Sequence, residues 1–257
     1  MANALPAAEF ASSMNGKIMK LEHSHESAAI AARLVEGQKP SYVRDFVYGG
    51  IDGAITTFAI VAAVVGAALS SKVILILGLA NLLADGFSMA ASNYSGTKAV
   101  VDDIERIREI EKKHIRLEPG GEREEVRQLL AQKGLEGKTL EDVVDAITAN
   151  ERNWIDLMLT DEYGLSLNQP SPLLAGLATF VAFMICGAVP LLPFVFDLQA
   201  AFTVSMAMTG IVFVLIGAAK SKWALAPWWR SGFETLVIGG AAAAMAFVVG
   251  YFLRGLN

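Results

Sequence analysis

The sequence predicts an all-α membrane protein with five transmembrane helices and a soluble helical insert between the second and third. Of its 257 residues, 54% are hydrophobic and 18% are charged, whereas about a quarter of a soluble domain is charged. The charge is also concentrated in one place. Residues 98–170 hold 17 acidic and 11 basic residues. This segment therefore accounts for the net charge of −5, and the remainder is nearly neutral and apolar.

Five segments have the roughly 20 apolar residues that a helix needs to cross a bilayer. They are residues 46–69, 73–96, 173–196, 200–219 and 233–253. The first two are separated by three residues only, which predicts a tight helical hairpin. We therefore divide the chain into a cytoplasmic N-terminal tail (1–44), transmembrane helices 1–2 (45–97), an acidic insert (98–170) and transmembrane helices 3–5 (171–257).

Basic residues predict the orientation, because the cytoplasmic ends of membrane helices carry more Lys and Arg than the opposite ends. They lie before the first helix, after the second, and between the fourth and fifth: Arg33, Lys39, Arg44, Lys98, Arg106, Arg108, Lys220, Lys222 and Arg230. The other side has Lys72 and Arg254. We therefore expect a cytoplasmic N-terminus and insert and an external C-terminus. Because the short N-terminal tail shows no organelle signal, we expect location in a bacterial inner membrane.

The insert is predicted to be helical, and no strand pattern is found in it. Helices are expected at 101–115, at 122–132, from Thr139 onward and at 150–163. Gly134 and Gly164 follow two of them, as glycine often follows a helix.

Asp52 and Asp85 are the ionisable side chains within the first two predicted membrane helices, where charge is costly and usually functional. Counting residues along the hairpin at about 1.5 Å each places Asp52 and Met89 at similar depth, with Asp85 one turn further out. A carboxylate beside a thioether favours a borderline transition metal over Mg²⁺ or Ca²⁺. The alternative is that Met89 only fills space in the core.

Two helix faces extend this candidate path. Asn81, Asp85, Met89 and Asn93 share one face at i, i+4 spacing, and Asp45, Gly49, Asp52 and Thr56 share a face of the first helix. The Gly49–Gly53 pair permits a close helix crossing. We expect Asp45, Gly49, Gly53 and Asn81 to line a transport path.

In the insert, several carboxylates recur at helical spacing. Glu122 and Glu125 are three residues apart, Met158 and Glu162 are four apart, and Glu111 and His114 form an E-x-x-H pair. Such a pattern fits either a solvated helix face or a metal cluster. The single cysteine, Cys186, excludes an intrachain disulfide framework and a cysteine zinc site.

Three motifs resemble the vacuolar iron transporter family: DFVYGGIDG at 45–53, GLANLLADGFSMA at 78–90, and WIDLM at 154–158 followed by EYGL at 162–165. The resemblance implies a homodimer that exports Fe²⁺ from the cytosol in exchange for protons, along a path between two first helices. It matches Asp52 and Met89 to the family's intramembrane metal site. It matches Glu111, Glu122, Glu125 and Glu162 to the cytoplasmic glutamate cluster, with Met158 beside them.

The sequence departs from the family pattern at two positions. Asn81 stands where the resemblance implies a membrane glutamate linked to proton coupling, and Asp85 is its nearest candidate replacement. His114 stands where a glutamate of the cluster is implied, and we include it among the candidate metal ligands.

The sequence thus predicts a divalent-metal transporter rather than an enzyme, without a cofactor other than transported or regulatory Fe²⁺ or Mn²⁺. Its expected partners are lipid, divalent metal ions and a second copy, not nucleic acid. Mn²⁺ is an alternative cargo, and a non-transporting metal sensor an alternative function. A di-iron oxidase would need E-x-x-H pairs on two helices and two more glutamates, and only Glu111–His114 fits that pattern.

Overall fold

The structure is a computed structural model that describes residues 23–36, 40–221 and 225–256. All regular secondary structure in these ranges is helical. Five helices are long and apolar enough to cross a membrane: Val43–Gly66, Ser71–Leu117, Pro172–Val195, Ala201–Lys220 and Trp228–Leu253. The predicted all-α fold with five membrane spans is therefore confirmed. Residues 1–22 of the predicted tail, Lys39 and Lys222 lie outside the described residues.

The N-terminal unit comprises residues 1–39, and its described part contains the helix α1 (Ser27–Glu36). The guanidinium of Arg33 in α1 donates a hydrogen bond to the carbonyl oxygen of Ser24, at 2.8 Å. All other helices belong to the unit formed by residues 40–257.

Helices α2 (Val43–Gly66) and α3 (Ser71–Leu117) form the predicted hairpin. The chain reverses at Ala68, which has a positive φ of 56°. Ser70 is extended, with φ −74° and ψ 155°, and precedes the first residue of α3. The short connection places the two helices side by side, so residues counted inward from it reach similar depths.

Helix α3 has 47 residues and continues from the membrane span into the insert without a break. The sequence suggested a separate helix at 101–115, because the composition changes from apolar to charged near Lys98. The main-chain hydrogen bonds of a helix do not depend on whether its side chains are apolar or charged. The residues that join the two predicted helices include no proline, and their single glycine, Gly96, costs only about 1 kcal/mol relative to alanine. An ion pair between Lys98 and Asp102, at 2.7 Å, lies across the transition.

Helix α7 (Pro172–Ala188) packs against both α2 and α3. A Cβ atom added to Gly176 of α7 would lie 2.9 Å from the carbonyl oxygen of Ala90 in α3. The span continues through a 3₁₀ turn at Val189–Leu191 and the short helix α8 (Leu192–Val195). Pro190 and Pro193 cannot donate α-helical hydrogen bonds, which accounts for this tightened end.

The last two spans are α9 (Ala201–Lys220) and α10 (Trp228–Leu253). They pack against each other, and both contact α2. Small residues form these crossings: a Cβ atom on Gly217 of α9 would lie 2.5 Å from the carbonyl oxygen of Ser231 in α10. Helix α2 therefore has neighbours on several sides within one chain.

The insert is completed by α4 (Pro119–Gln132), α5 (Gly137–Thr148) and α6 (Glu151–Leu157), followed by one π-helical turn at Met158–Glu162. The side chain of Asn150 caps α6 by accepting a hydrogen bond from the amide of Asn153, at 3.1 Å. An apolar core joins these helices. Its buried members are Val126, Leu130, Leu140, Val144, Trp154 and Met158. The π turn interrupts the single helix expected at 150–163.

Candidate functional site

A cavity of about 370 Å³ lies between α2 and α3 within the membrane span. It is lined by Tyr48, Asp52, Met89, Ser92 and Asn93. Asp52 lies nine residues from the start of α2, about 14 Å along the helix axis. The hairpin therefore brings a carboxylate and a thioether to the same cavity at mid-helix depth. Oxygen and sulfur donors in one site suit a borderline divalent transition metal better than Mg²⁺.

Asn81 and Asp85 lie outside that lining. The side-chain amide of Asn81 donates to the hydroxyl oxygens of Thr56 and Thr57 on α2, at 3.3 and 3.4 Å. The Thr56 hydroxyl in turn donates to the carbonyl oxygen of Asp52, at 2.9 Å. Asn81 therefore ties α3 to α2 near Asp52. Asp85 is exposed on the outer face of α3.

Asp45 is held at the start of α2 by Asn93. The Asn93 amide donates to Asp45 Oδ1 at 2.9 Å and to Thr179 Oγ1 of α7 at 2.7 Å. Thr179 is completely buried. Asn93 thus joins α2, α3 and α7 at one edge of the cavity. The sequence placed Asn93 on the face of Met89, which was the one available signal, but assigned it no function.

Gly49 and Gly53 of α2 lie directly against α7. A Cβ atom on Gly53 would lie 2.5 Å from the carbonyl oxygen of Phe183, and one on Gly49 would collide with that of Thr179. Both partners belong to α7 of the same chain. The close helix crossing that the Gly49–Gly53 pair permits is therefore made, within one chain, between α2 and α7. Both glycines are buried in it.

A second cluster of polar side chains lies in the insert. Glu111 and His114 of α3 and Glu122 of α4 each place one potential ligand atom within 4.8 Å of the others. Glu111 is 1% exposed and Glu122 is 5% exposed. One oxygen of each, Oε2, is buried and has no hydrogen-bond partner among the described residues. Buried carboxylate oxygens are normally paired, so this cluster has the electrostatics of a cation site.

Tyr163 also contributes to this cluster, although the sequence assigned it no role beyond its place in the EYGL motif. Its hydroxyl donates a hydrogen bond to Glu111 Oε1, at 3.0 Å. Tyr163 directly follows the π turn, whose wider hydrogen-bonding pattern changes the direction of the residues after it. Its place in the EYGL motif, directly after the candidate Glu162, was the available signal for it.

Burial and repulsion from neighbouring carboxylates raise the pKa values of Glu122 and Glu162 in this cluster. Burial, followed by the neighbouring charges of Glu111 and Glu125, raises the pKa of Glu122 to about 7. The same three causes raise the pKa of Glu162. Burial and the hydrogen bond to Glu111 raise the pKa of the Tyr163 hydroxyl. Glu125 and Glu162 are themselves exposed, so they line the outer side of the cluster.

Met158 lies in the apolar core of the insert and is fully buried. It packs there with residues such as Val126 and Trp154. Among the sequence candidates of the insert, the structure therefore gathers Glu111, His114 and Glu122 most closely. Glu125 and Glu162 surround them, and Met158 forms part of the packing beneath.

The fold and these two candidate sites define the class: a polytopic α-helical membrane protein with potential metal-ligand side chains in its membrane span and in its insert. The sequence profile of the VIT family matches residues 43–251. The chain belongs to the VIT family, whose members are transporters and not enzymes. The resemblance found in the three motifs is thereby confirmed.

Relatives cover most of the chain. Vacuolar iron transporter 1 of Arabidopsis thaliana is 34% identical over 208 residues, which are 80% of this chain and 83% of that protein. The vacuolar iron transporter of Toxoplasma gondii is 32% identical over 225 residues, 83% of this chain and 74% of that protein. Vacuolar iron transporter 1 of Oryza sativa subsp. japonica is 31% identical over 208 residues, 80% and 82% of the two chains.

Proposed function

We propose that this protein transports ferrous iron across a membrane, exporting it from the cytosol in exchange for protons. The observation that carries the proposal is the cavity lined by Asp52 and Met89. Its carboxylate and thioether offer Fe²⁺ both a charged oxygen and a soft sulfur. The names of the relatives, which are vacuolar iron transporters, support iron as the cargo.

Proton exchange follows from the chemistry of the same carboxylate. A metal ligand must be deprotonated, so a proton arriving at Asp52 from the far side weakens metal binding and releases the ion. Asp85 lies one helical turn from Met89, about 6 Å along α3, and is our candidate for a second proton-accepting group. It takes the role of the family's membrane glutamate, at whose position this chain has Asn81.

We place the protein in a bacterial inner membrane. Its N-terminus, its insert and the connection between α9 and α10 then face the cytosol. The basic residues near these segments support that orientation. One hydrogen bond supports placing the starts of α2 and α7 on the same side of the membrane. The Ser171 amide before α7 donates to the Tyr42 hydroxyl before α2, at 3.0 Å.

We also propose a homodimer whose subunits meet along α2 and α3. Asp85, Tyr48 and Phe87 are exposed on these helices, Tyr48 by 65% and Phe87 by 69%. A carboxylate facing lipid is costly, and a second copy with a hydrated path between the subunits would remove that cost. In a Cys186→Ala protein in lipid, Tyr48→Cys should form an intersubunit disulfide and Val249→Cys on α10 should not. The opposite result would move the interface.

In this proposal the insert binds several divalent ions through Glu111, His114, Glu122, Glu125 and Glu162. These side chains repel one another until a cation arrives, which is consistent with the raised pKa values of Glu122 and Glu162. Since the insert lies outside the membrane cavity, removing its ligands should reduce transport and not abolish it. It acts as a receiving or regulatory site on the cytosolic side.

The test is uptake of Fe²⁺ and Mn²⁺ by proteoliposomes with an imposed pH gradient. Asp52→Ala and Asp52→Asn should abolish uptake, whereas Asp102→Ala, which removes an exposed carboxylate of the insert, should not. Met89→Ala should lower Fe²⁺ uptake and weaken discrimination against Mg²⁺. Asp85→Asn should mainly change the dependence on pH.

Each outcome decides a different part of the proposal. Normal uptake by Asp52→Ala would rule out the cavity as the path. Metal binding without uptake by the wild-type protein would indicate a sensor. Faster uptake of Mn²⁺ than of Fe²⁺ would change the cargo but keep the mechanism.

A further inference from the structure

Three side chains from two helices converge in the insert. Glu111 and His114 lie three residues apart on α3, and Glu122 lies on α4. Their ligand atoms are within 4.8 Å of one another. Donors bound to one divalent ion at about 2.0–2.2 Å each lie up to about 4 Å apart across it. Small side-chain rotations would therefore bring all three onto one ion.

Two buried oxygens indicate a ligand and not merely a surface charge cluster. Glu111 Oε2 and Glu122 Oε2 have no hydrogen-bond partner within the described part of the chain. The other oxygen of each is accounted for. Glu111 Oε1 accepts from Tyr163, and Glu122 Oε1 lies 3.3 Å from His114 Nδ1. Each carboxylate thus leaves one buried oxygen, Oε2, without a partner and free to bind a cation.

His114 differs from the rest of the cluster in chemistry and in exposure. Among the candidate metal ligands of the insert, it alone would coordinate through nitrogen, whereas Glu111, Glu122, Glu125 and Glu162 would coordinate through oxygen. Its side chain is 49% exposed. A simple hydrogen bond to Glu122 would account for its position. That reading leaves both free Oε2 atoms unexplained, whereas a shared ion accounts for all three side chains.

We propose that His114 is a metal ligand that sets the selectivity of the insert, favouring Fe²⁺, Co²⁺ and Zn²⁺ over Mn²⁺ and Mg²⁺. This inference rests on the proposal that the insert binds divalent ions. Imidazole suits the later first-row metals, and affinity for nitrogen-containing sites rises from Mn²⁺ through Fe²⁺ to Co²⁺. A site built only from carboxylates would hold Mn²⁺ better relative to these ions. The nitrogen of His114 therefore separates metals that oxygen ligands alone discriminate weakly.

Selectivity is tested on the full chain in detergent micelles, in an Asp52→Ala background that weakens binding in the membrane cavity. Co²⁺ and Mn²⁺ dissociation constants are measured by equilibrium dialysis. Loss of even an outer-shell partner of a metal ligand costs about ten- to a hundredfold in affinity. His114→Glu should therefore lower the preference for Co²⁺ over Mn²⁺ by about tenfold or more. An unchanged preference overturns the proposal.

Direct ligation has its own measurement. Pulsed electron paramagnetic resonance of the Mn²⁺-loaded protein should detect coupling to an imidazole nitrogen, and His114→Gln should remove it. The chain has three histidines, so His23→Ala with His25→Ala is the matched control and should retain the coupling. Nitrogen coupling that survives in His114→Gln, or that is absent from the wild-type protein, contradicts the assignment.

These results are separable from the proposed transport function. If wild-type proteoliposomes move no metal but the nitrogen coupling depends on His114, the transport proposal fails and the ligand assignment holds. If flux is normal and His114→Glu changes neither coupling nor preference, only the selectivity inference fails. Because His114 is half-exposed, both substitutions are compatible with folding, which retained helical circular dichroism checks.

Discussion

At the scale of single residues, the acidic side chains of the insert fall into two groups. Glu124 and Glu141 form ion pairs with Arg127. Hydrogen bonds to Gln128 and Arg127 lower the pKa of Glu124, and the bond to Arg127 lowers that of Glu141. Glu122 is instead buried beside other carboxylates, which raise its pKa. The solvated-face interpretation of the acidic pattern therefore fits Glu124 and Glu141, whereas the surroundings of Glu122 are those that the metal-cluster interpretation predicts.

The first prediction concerns pH and Glu122. Its pKa in the folded protein is about 7, above the ordinary 4.5, so the folded state binds more protons than the unfolded state between these values. Stability of the metal-free protein should therefore fall as pH rises through that window. We expect the Tm, followed by Trp154 fluorescence, to decrease by a few degrees from about pH 5 to about pH 8. Saturating Mn²⁺ should offset the decrease.

Glu122→Gln should flatten this pH dependence, since the amide does not ionise. The control is Glu124→Gln, an exposed and paired residue on the same helix. Equal pH dependence in wild-type protein and Glu122→Gln would show that another group titrates.

The second prediction concerns Tyr163. In Tyr163→Phe, Glu111 Oε1 loses its hydrogen-bond donor, and the carboxylate is no longer held in one orientation. Outer-shell losses of this kind lower metal affinity by about ten- to a hundredfold. We expect that decrease in a Mn²⁺ titration of the insert site. Tyr251→Phe, on an exposed part of α10, should leave the titration unchanged; an equal loss there would point to a general effect on the protein.

At the scale of elements, contacts through glycine fix α7 against α2 and α3. The main chains of α2 and α7 approach so closely that Gly49 and Gly53 have no room for a Cβ atom. The same crossing holds Thr179 beside Asn93 and Asp45. Packing of α7 therefore determines the shape of the cavity edge, although α7 itself supplies no lining residue to the cavity.

The third prediction follows from that crossing. Gly49→Ala should push α2 away from α7 and lower stability by about 1–3 kcal/mol, as overpacking does. Metal uptake should fall with it, because Asp45 loses its fixed position. The matched control is Gly96→Ala in α3, where nothing lies within 4 Å of the added Cβ atom. Thermal unfolding in detergent, together with flux, measures both; a Gly49→Ala protein as stable as Gly96→Ala would contradict the packing.

The sequence predicted the features that depend on composition within one segment or on counting residues along a helix. Membrane spans follow from hydropathy within each segment, and the pairing of Asp52 with Met89 follows from counting along a hairpin with a short connection. The hydrogen bonds of Asn93 to Thr179 and of Tyr163 to Glu111 join residues 86 and 52 positions apart. They depend on how α7 packs and on where the π turn ends. Neither feature leaves a repeating pattern in the sequence, so these contacts could not be derived from it.

At the scale of the whole molecule, five membrane crossings would place the start of α2 and the end of α10 on opposite sides of the membrane. The end of the membrane part of α3 and the start of α7 would then lie on the same side as the start of α2, together with the insert that joins them. One labelled residue on each side of the membrane tests this arrangement.

The fourth prediction is that the insert is cytoplasmic. Lys138→Cys, on the exposed surface of α5, should resist a membrane-impermeant maleimide in intact cells, and Asp197→Cys, exposed after α8, should react. The chain has one native cysteine, the buried Cys186, so Cys186→Ala provides a clean background. Permeabilised cells should label at both positions. Labelling of Lys138→Cys before permeabilisation would invert the proposed topology.

The unbroken helix α3 fixes the angle about its axis between the two candidate metal sites. Met89 and Glu111 are 22 residues apart on it, about 33 Å along the axis and roughly 40° apart around it. Deleting one residue between Gly96 and Val101 would swing the insert by about 100°, whereas inserting seven would turn it by only about 20° and raise it by about 10 Å. Insertions or deletions in this stretch therefore keep the orientation of the insert relative to the membrane cavity only when they add or remove close to whole helical turns, such as seven residues.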